Sequence, residues 1–378
     1  MRCPRCHRRL RPGARCPLHS IASRAEEPAG PGALQGDADG PTHAPEVSGF
    51  SDLHELGRGG FAAVYRARRD SDGQMVALKL AHARRDARFA SEAEALRRLA
   101  EVPVTPSLLG RGRTDAGHPY LVLELITGPT LAETMADQPG AGMFEVAAAA
   151  TMAAELFAAL SAIHRAGVIH RDLKPENIRL RPGRGLTVLD FGLARVRAAA
   201  DDHAAAVTPT EPSAVGLTGT GQQMGTPHYM APEQTSDARS ANAAADLYAA
   251  GVIAFELFTG RPPFTGAAAE VIQAHAARRP PRLSTLAARA APYDELVARL
   301  LAKQPAGRPA DAARVSALFA ASPHRPGPIG PAVQTMPAAT AAATDGNTRR
   351  PLSGTGRRDM VILAVRTAAT VDQLARLV

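Results

Sequence analysis

The hydrophobic pattern of this chain changes its period near Phe144, and this change constrains the fold more than any other feature. Between residues 50 and 124, apolar stretches of strand length, such as MVALKLA and PYLVLEL, alternate with turn signals. Beyond Phe144, apolar residues recur at helical spacing, most clearly over 144–167 and 244–260. The sequence therefore predicts an α+β fold with two lobes, a small antiparallel-sheet lobe with one helix and a larger, mainly helical lobe.

Composition divides the 378 residues into five segments. Stretches rich in Gly, Pro and Ala, without periodicity, flank the patterned region and are typical of linkers. The content of 45% hydrophobic and 21% charged residues supports a sizeable core. We predict a small cysteine-containing module at 1–22, a flexible linker at 23–49, the main domain at 50–321, a Pro/Ala-rich linker at 322–357 and a short segment able to form one helix at 358–378.

The formal net charge of +8 arises largely at the two ends of the chain. Seven arginines fall in the first 25 residues and six fall in 349–376, without interleaved aromatic residues. This pattern favours solvated basic tails over nucleic-acid contact. The apolar runs at 251–258 and 360–371 are short and each carries a charged residue, so we predict no membrane span and a cytoplasmic location.

Lysine is rare in this chain, since only three of its 44 basic residues are lysines. An ammonium group is a compact point charge, unlike a guanidinium, and can meet a single phosphate oxygen. Lys79 ends the apolar stretch VALK, 15 residues after the glycine-rich turn GRGGFAAV. Glycines in such a turn let backbone amides approach phosphate oxygens. Lys79 and Lys174 are therefore candidate phosphate ligands, whereas Lys303 lies far along the chain.

A lysine at the end of a buried strand requires a carboxylate partner. The stretch RDARFASEAEALRRLA predicts a helix whose inward face carries four apolar residues, namely Phe89, Ala93, Leu96 and Ala100. Glu92 falls on that face and is the predicted partner of Lys79, with Glu94 as the alternative.

The stretch VIHRDLKPENIRL concentrates polar groups in a loop that Pro175 keeps from being helical. Asp172 can orient a hydroxyl, Lys174 can neutralise a phosphate, and Asn177 can bind a metal ion. A second carboxylate, Asp190, ends the apolar strand of TVLDFGLA. Hard oxygen ligands of this kind suit Mg²⁺, which also binds substrate phosphates.

These motifs resemble those of Ser/Thr protein kinases of the eukaryotic-like type found in bacteria, and the resemblance covers about residues 50–320. It implies a bilobal protein kinase fold that transfers the ATP γ-phosphate to Ser or Thr hydroxyls of proteins. Asp172 would then accept the hydroxyl proton, with Lys174 near the γ-phosphate. Mg²⁺, or Mn²⁺, would bind to Asn177 and Asp190. The implied ATP-binding residues are Leu56, Gly57, Gly59, Val64, Ala77, Lys79, Glu92, Glu124 and Ile126.

The resemblance extends to the segment GTPHYMAPEQ at 225–234. It implies that Glu233 pairs with Arg308 and that Asp246 and Gly251 belong to a helix that supports the catalytic loop.

The 44 residues of 190–233 have a middle low in apolar bulk, which we expect to be mobile. Kinases with an arginine at the position of Arg171 capture a phosphothreonine from this segment through charge-assisted hydrogen bonds. We therefore predict autophosphorylation of Thr218, Thr220 or both, and a structural role for Thr226.

Two positions depart from the family pattern. Ala62 replaces the third glycine of the loop, a change that we expect to cost little. Arg179 stands where the family has an apolar residue beneath the adenine, and its aliphatic stem could serve while its head reaches solvent. In an alternative strand register, Leu180 would fill that position.

The N-terminal stretch CPRCHRRLRPGARCPLH contains all three cysteines and resembles a minimal zinc ribbon. Its predicted structural Zn²⁺ ligands are Cys3, Cys6, Cys16 and His19, with His7 as the alternative to His19. A redox-active tail without metal is the other interpretation.

Three other functions are compatible with parts of this sequence pattern. They are a catalytically inactive scaffold with the same fold, a small-molecule phosphotransferase, and a nucleic-acid-binding adaptor built on the basic zinc segment. The presence of every expected catalytic residue favours an active kinase, with ATP and Ser/Thr-containing proteins as partners and an unidentified partner for the zinc segment.

Overall fold

A computed structural model of the 378-residue chain describes residues 45–83, 86–138, 143–181, 183–196, 227–236 and 242–321. The four predicted zinc ligands, the predicted phosphorylation sites and Thr226 lie outside these residues, as does everything after residue 321.

A five-stranded antiparallel sheet forms the small lobe, in the order β1-β2-β3-β5-β4. The strands are β1 (Phe50–Arg58), β2 (Ala62–Arg69), β3 (Met75–Ala81), β4 (Leu108–Arg113) and β5 (Pro119–Glu124). Four of the strands follow the predicted pattern. The edge strand β4, with the sequence LLGRGR, was not predicted because its alternate glycines hide the period. Gly112 makes room there for the ring of Tyr120, whose hydroxyl would lie 2.4 Å from an added Cβ.

The small lobe carries one helix, α1 (Asp86–Arg98), which packs on the sheet. Phe89, Ala93 and Leu96 are buried as predicted. Ala100 is exposed, contrary to the prediction, because the helix ends at Arg98, and Leu99 is buried instead.

Helices form most of the larger lobe, which confirms the predicted fold class. They are α2 (Leu131–Ala136), α3 (Val146–Arg165), α4 (Pro232–Ser236), α5 (Ala243–Thr259), α6 (Ala268–Ala277), α7 (Asp294–Leu300) and α8 (Ala312–Ala320). Asn242 caps the start of α5 through its side chain, and Gly260 ends it in the left-handed conformation with φ 71°. Helices α3, α5 and α8 pack together around an aliphatic and aromatic core.

Helix α3 is long and apolar enough to cross a membrane by length and composition. The sequence pattern had pointed to 251–258 and 360–371 as the longest apolar runs, and the first of these lies buried within α5. Most of α3 is also buried, between α5 and α8. Core packing therefore accounts for the apolar composition of α3.

Two short strand pairs lie in the larger lobe and shape the loops of the site. Strand β6 (Val168–Ile169) pairs with β9 (Arg195–Val196), and β7 (Ile178–Arg181) pairs with β8 (Gly185–Val188). The loop 170–177 thus connects β6 to β7, and Asp190 follows β8.

Candidate active site

The glycine-rich turn between β1 and β2 is closed by a hydrogen bond from the Gly59 amide to the Ala62 carbonyl, 2.9 Å long. An added Cβ on Gly57 or Gly60 would contact nothing within 4 Å, so the backbone there faces open space. Leu56 is 48% exposed at this edge. A ring nitrogen of His82, which the sequence analysis did not single out, lies 2.9 Å from the Gly59 carbonyl. The turn is thus open to a ligand on one side and attached to the sheet on the other.

Lys79 lies at the centre of the site and forms the predicted ion pair with Glu92. Its Nζ lies 2.6 and 2.8 Å from the two carboxylate oxygens of Glu92, which is 2% exposed. The same Nζ lies 2.8 Å from Oδ1 of Asp190. Glu94, the alternative partner, instead pairs with Arg97. Strand β3, helix α1 and the loop after β8 therefore meet at one ammonium group.

Opposite charges in this cluster stabilise one another, although burial and the charge of Asp190 raise the pKa of Glu92. Desolvation raises the pKa of Asp190, but the positive charges of Lys79 and Lys174 outweigh it and hold that pKa well below its usual range. Desolvation lowers the pKa of Lys79, but Glu92 and Asp190 outweigh it and raise that pKa above its usual value. The ammonium and the Asp190 carboxylate consequently both stay charged around neutral pH.

Gly192 is the residue that leaves room for this cluster. An added Cβ would lie 3.1 Å from Oδ1 of Asp190, 3.3 Å from Oε2 of Glu92 and 3.4 Å from Nζ of Lys79. A larger residue would press on Asp190 and Glu92, so these carboxylates would have to shift by a few tenths of an ångström to admit it.

The loop between β6 and β7 brings the other predicted catalytic residues together. Nζ of Lys174 donates to Oδ2 of Asp172 at 2.8 Å. The amide nitrogen of Asn177 donates to the Asp172 carbonyl at 2.8 Å and lies 3.4 Å from Oδ2. Desolvation lowers the pKa of Lys174, but Asp172 outweighs it and raises that pKa. Asp172 therefore presents a carboxylate that is fixed by two neighbours.

A buried carboxylate on α5 holds this loop in its unusual backbone conformation. Arg171 has φ 68°, a left-handed conformation that is unfavourable for a residue other than glycine. Asp246 is 1% exposed and accepts the amides of His170 and Arg171, both at 2.8 Å. His164 on α3 lies 2.8 Å from the same carboxylate, a contact without a signal in the sequence pattern. The two hydrogen bonds compensate the strain at the residue before Asp172.

Asp190 also has a left-handed backbone, with φ 62°. The next residue, Phe191, is buried with its ring edge against His170, with the ring centres 4.9 Å apart. A ring nitrogen of His170 in turn lies 2.9 Å from the carbonyl of Leu189. Packing and hydrogen bonding around His170 thus position both aspartates of the site.

The linker between the lobes follows β5, and the predicted adenine-binding residues lie beside it. Ala77 on β3 is buried and pairs with Leu123, and Ile126 is also buried. The side chain of Glu124 accepts from Arg181 at 2.9 Å. Val64 lies on β2 beside Lys79 of β3. The structure places these groups where the sheet meets the linker.

Arg179 faces this linker rather than the core of the larger lobe. Its neighbours Ile178 and Leu180 pack on the core, so the alternation of the strand turns Arg179 to the opposite side. Its Nη1 donates to the Gly128 carbonyl at 2.5 Å, and its backbone forms a bridge with Thr130. The alternative register, with Leu180 on the nucleotide side, is therefore wrong.

The expected ion pair between Glu233 and Arg308 is present and bidentate, with N–O distances of 2.7 and 2.8 Å. Arg308 also donates to the carbonyls of Ala302, Ala244 and Lys303. The pair therefore attaches the start of α4 both to α5 and to the segment that follows α7.

The oxygen atoms of Asn177 and Asp190 fit a magnesium ion. In the described part of the chain, no donor occupies the amide oxygen of Asn177 or Oδ2 of Asp190, so both hard oxygens are available. Within the described ranges, no group of three or more His, Cys, Asp or Glu could hold a metal ion by itself. Mg²⁺ commonly binds to a few protein oxygens and completes its coordination with phosphate oxygens and water.

Comparison with known proteins agrees with this geometry. Residues 50–319 match the protein kinase domain family. The chain is 36% identical over 321 residues to the serine/threonine-protein kinase Pkn1 of Myxococcus xanthus, covering 81% of this chain and 43% of that protein. It is 35% identical over 271 residues to the serine/threonine-protein kinase PknL of Mycobacterium bovis, covering 70% and 63%. The chain thus spans roughly half the length of these relatives. It belongs to the protein kinase family.

Proposed function

We propose that this chain is an ATP-dependent serine/threonine protein kinase. The observation that carries the proposal is the joint placement of Asp172, Lys174 and Asn177 in one loop with the Lys79, Glu92 and Asp190 cluster. The names of the relatives, all serine/threonine-protein kinases, support the choice of substrate hydroxyl.

Each side chain has a distinct task in the transfer. The hydroxyl oxygen of the substrate attacks the γ-phosphorus, the bond to the β-phosphate oxygen breaks, and Asp172 accepts the hydroxyl proton. Lys174 offsets charge on the γ-phosphate, and Lys79, held by Glu92, binds the α and β phosphates. Asn177 and Asp190 would hold Mg²⁺, which offsets phosphate charge when bound. Asp246 keeps the catalytic loop in its strained conformation.

The test is phosphate incorporation from labelled ATP into the full-length chain and a generic basic protein. We expect Asp172→Asn to lower the rate by about 100-fold or more, because it removes the proton acceptor. We expect Lys79→Arg to abolish activity as well, because a planar guanidinium does not fit the confined place of the ammonium. The matched control is Arg66→Lys, an exposed exchange on the neighbouring strand that leaves activity unchanged.

Wild-type protein that binds ATP, as shown by a shift in Tm, but transfers no phosphate to either substrate would contradict the proposal and favour the scaffold. The same reaction products locate the phosphorylated residues. We propose that these residues are Thr218, Thr220 or both, and active protein unmodified at both would reject that assignment.

Further proposals concern segments that lie wholly or, for 23–49, mostly outside the described residues; the structure describes 45–49, where Val47 is buried against the small-lobe sheet. We propose that residues 1–22 bind a structural zinc ion and that 23–49 and 322–357 are linkers, with 358–378 forming a short segment of its own. We also propose a cytoplasmic location, where a reducing environment would keep the three cysteines available as zinc ligands. We also propose that the chain phosphorylates protein substrates and that the zinc segment binds a partner.

A further inference from the structure

Lys303 is the lysine that the proposed reaction does not use, and its surroundings differ from those of the other two. Its Nζ donates to the Ala274 carbonyl at 3.2 Å and lies 3.5 Å from the hydroxyl of Tyr248. It also lies 4.7 Å from the ring centre of Phe264. Among the residues that the structure describes, no carboxylate forms an ion pair with it.

Lys79 and Lys174 each have a carboxylate partner at 2.8 Å or less, and these partners raise the pKa of both amines. Lys303 instead has a second cation nearby, since the guanidinium of Arg308 lies 4.8 Å from the Tyr248 ring that Lys303 also approaches. Burial and the charge of Arg308 lower the pKa of Lys303 to about 8. Of the three lysine amines, this one loses its proton most easily.

A neutral amine can satisfy the hydrogen-bond network around Lys303. An amine nitrogen donates to Tyr248, so the tyrosine hydroxyl can donate onward to Nδ1 of His275, 2.8 Å away. Burial and the charge of Lys303 lower the pKa of His275 to about 3, so its imidazole is a neutral acceptor. A neutral amine keeps two N–H donors, for Ala274 and Tyr248, and has a free lone pair.

Lys303 is only partly buried. Lys303 lines a surface concavity of about 540 Å³. Two exposed arginines, Arg279 and Arg282, line the same concavity, and neither forms an ion pair within the described ranges. Asp294 and Glu295 lie there too, but both Asp294 oxygens accept from Ser284. The concavity therefore offers two guanidinium groups, which bind phosphate well, near the side chain of Lys303, together with the exposed carboxylate of Glu295.

We propose that Lys303 is a site of acylation by small acyl donors that carry phosphate, such as acyl phosphates and acyl thioesters of coenzyme A. The neutral amine attacks the acyl carbon, and a C–N bond forms. The bond from the acyl carbon to the phosphate oxygen, or to the thioester sulfur, breaks, and the leaving group takes the bonding electrons. The surplus proton on nitrogen passes to water. Arg279 and Arg282 hold the phosphate of the donor.

The test is incubation of the folded full-length chain with acetyl phosphate, and separately with acetyl-coenzyme A, at several pH values between 7 and 9.5. Mass spectrometry then reports acetylation at each of the three lysines. With at least one donor, we expect Lys303 to react at least about tenfold faster than Lys79 and Lys174 at pH 7.5, because far more of its amine is neutral. The rate at Lys303 rises with pH to a half-maximum near pH 8 and then levels off.

Two controls separate the contribution of the folded environment from that of Arg279 and Arg282. In urea, the preference for Lys303 disappears, because it depends on the folded environment. Arg279→Ala with Arg282→Ala slows the reaction with the anionic donor but not with a neutral acetylating ester, whereas the exposed Arg289→Ala changes neither. Equal rates at the three lysines in folded protein with both donors, or a preference that survives unfolding, would overturn the proposal. A preference that the Arg279 and Arg282 substitutions leave unchanged would reject the phosphate-binding role of the concavity.

Discussion

A single residue, Arg179, gives this kinase its most individual feature, a guanidinium beside the linker at a position where the family has an apolar residue. Arg179 occupies a strand position whose neighbours face the core, so its guanidinium turns to the linker and bonds to Gly128. A guanidinium is planar and stacks on aromatic faces, which an aliphatic side chain does only through dispersion.

Replacing this arginine should weaken nucleotide binding. We expect Arg179→Leu to raise the KM for ATP about threefold or more while kcat changes less, because the lost stacking acts mainly on bound substrate. Steady-state kinetics at varied ATP measure this, with Arg184→Leu in the exposed turn after β7 as the matched control. An unchanged KM would show that the guanidinium does not contact the purine.

At the scale of elements, Gly251 lets helix α5 approach α7 closely. An added Cβ on Gly251 would lie 2.7 Å from Cβ of Leu300. Helix α5 also carries Asp246 and Tyr248, so its position sets both the catalytic loop and the surroundings of Lys303.

Substituting Gly251→Ala should separate these two helices. We expect the free energy of unfolding to fall by about 1–3 kcal/mol, because overpacking forces backbone shifts. Thermal unfolding would show a Tm several degrees lower. Leu300→Gly removes the Cβ that the added methyl group would meet, so it should cost less stability in the Gly251→Ala background than in the wild type. A double variant whose losses simply add would show that the two residues are not coupled.

Most of the elements could be predicted because their signals are local. Helical spacing placed Glu92 between Phe89 and Leu96 on the inward face of α1, so its pairing with Lys79 was predictable. Strand β4 was missed because two glycines replace apolar residues in its pattern. His164 and Asp246 are 82 positions apart in the sequence, and Lys303 and Ala274 are 29 apart. Local periodicity cannot predict contacts between residues so far apart in the sequence.

For the whole molecule, the kinase domain accounts for residues 50–319, and the basic N-terminal segment is a separate module in sequence. Its cysteines and histidines predict a fold that exists only with metal, because so few residues cannot bury a sufficient core.

Metal analysis of the full chain checks this. We expect about one zinc ion per chain after purification without chelators. His19→Ala should lose the metal and His7→Ala should keep it, and kinase activity should survive in both. Protein without zinc, or zinc retained after His19→Ala, would contradict the predicted ligand set.

The two arginines of β7 have a mechanical consequence. Arg181 holds Glu124 and Arg179 holds Gly128, so both ends of a five-residue linker are attached to one strand of the larger lobe. The Leu180 amide, bonded to the Pro129 carbonyl at 2.9 Å, adds a third attachment. The linker is therefore fixed to the larger lobe. We expect the cleft to open by rotation of the small lobe about this short, stiff linker, rather than by free movement of two lobes on a flexible one.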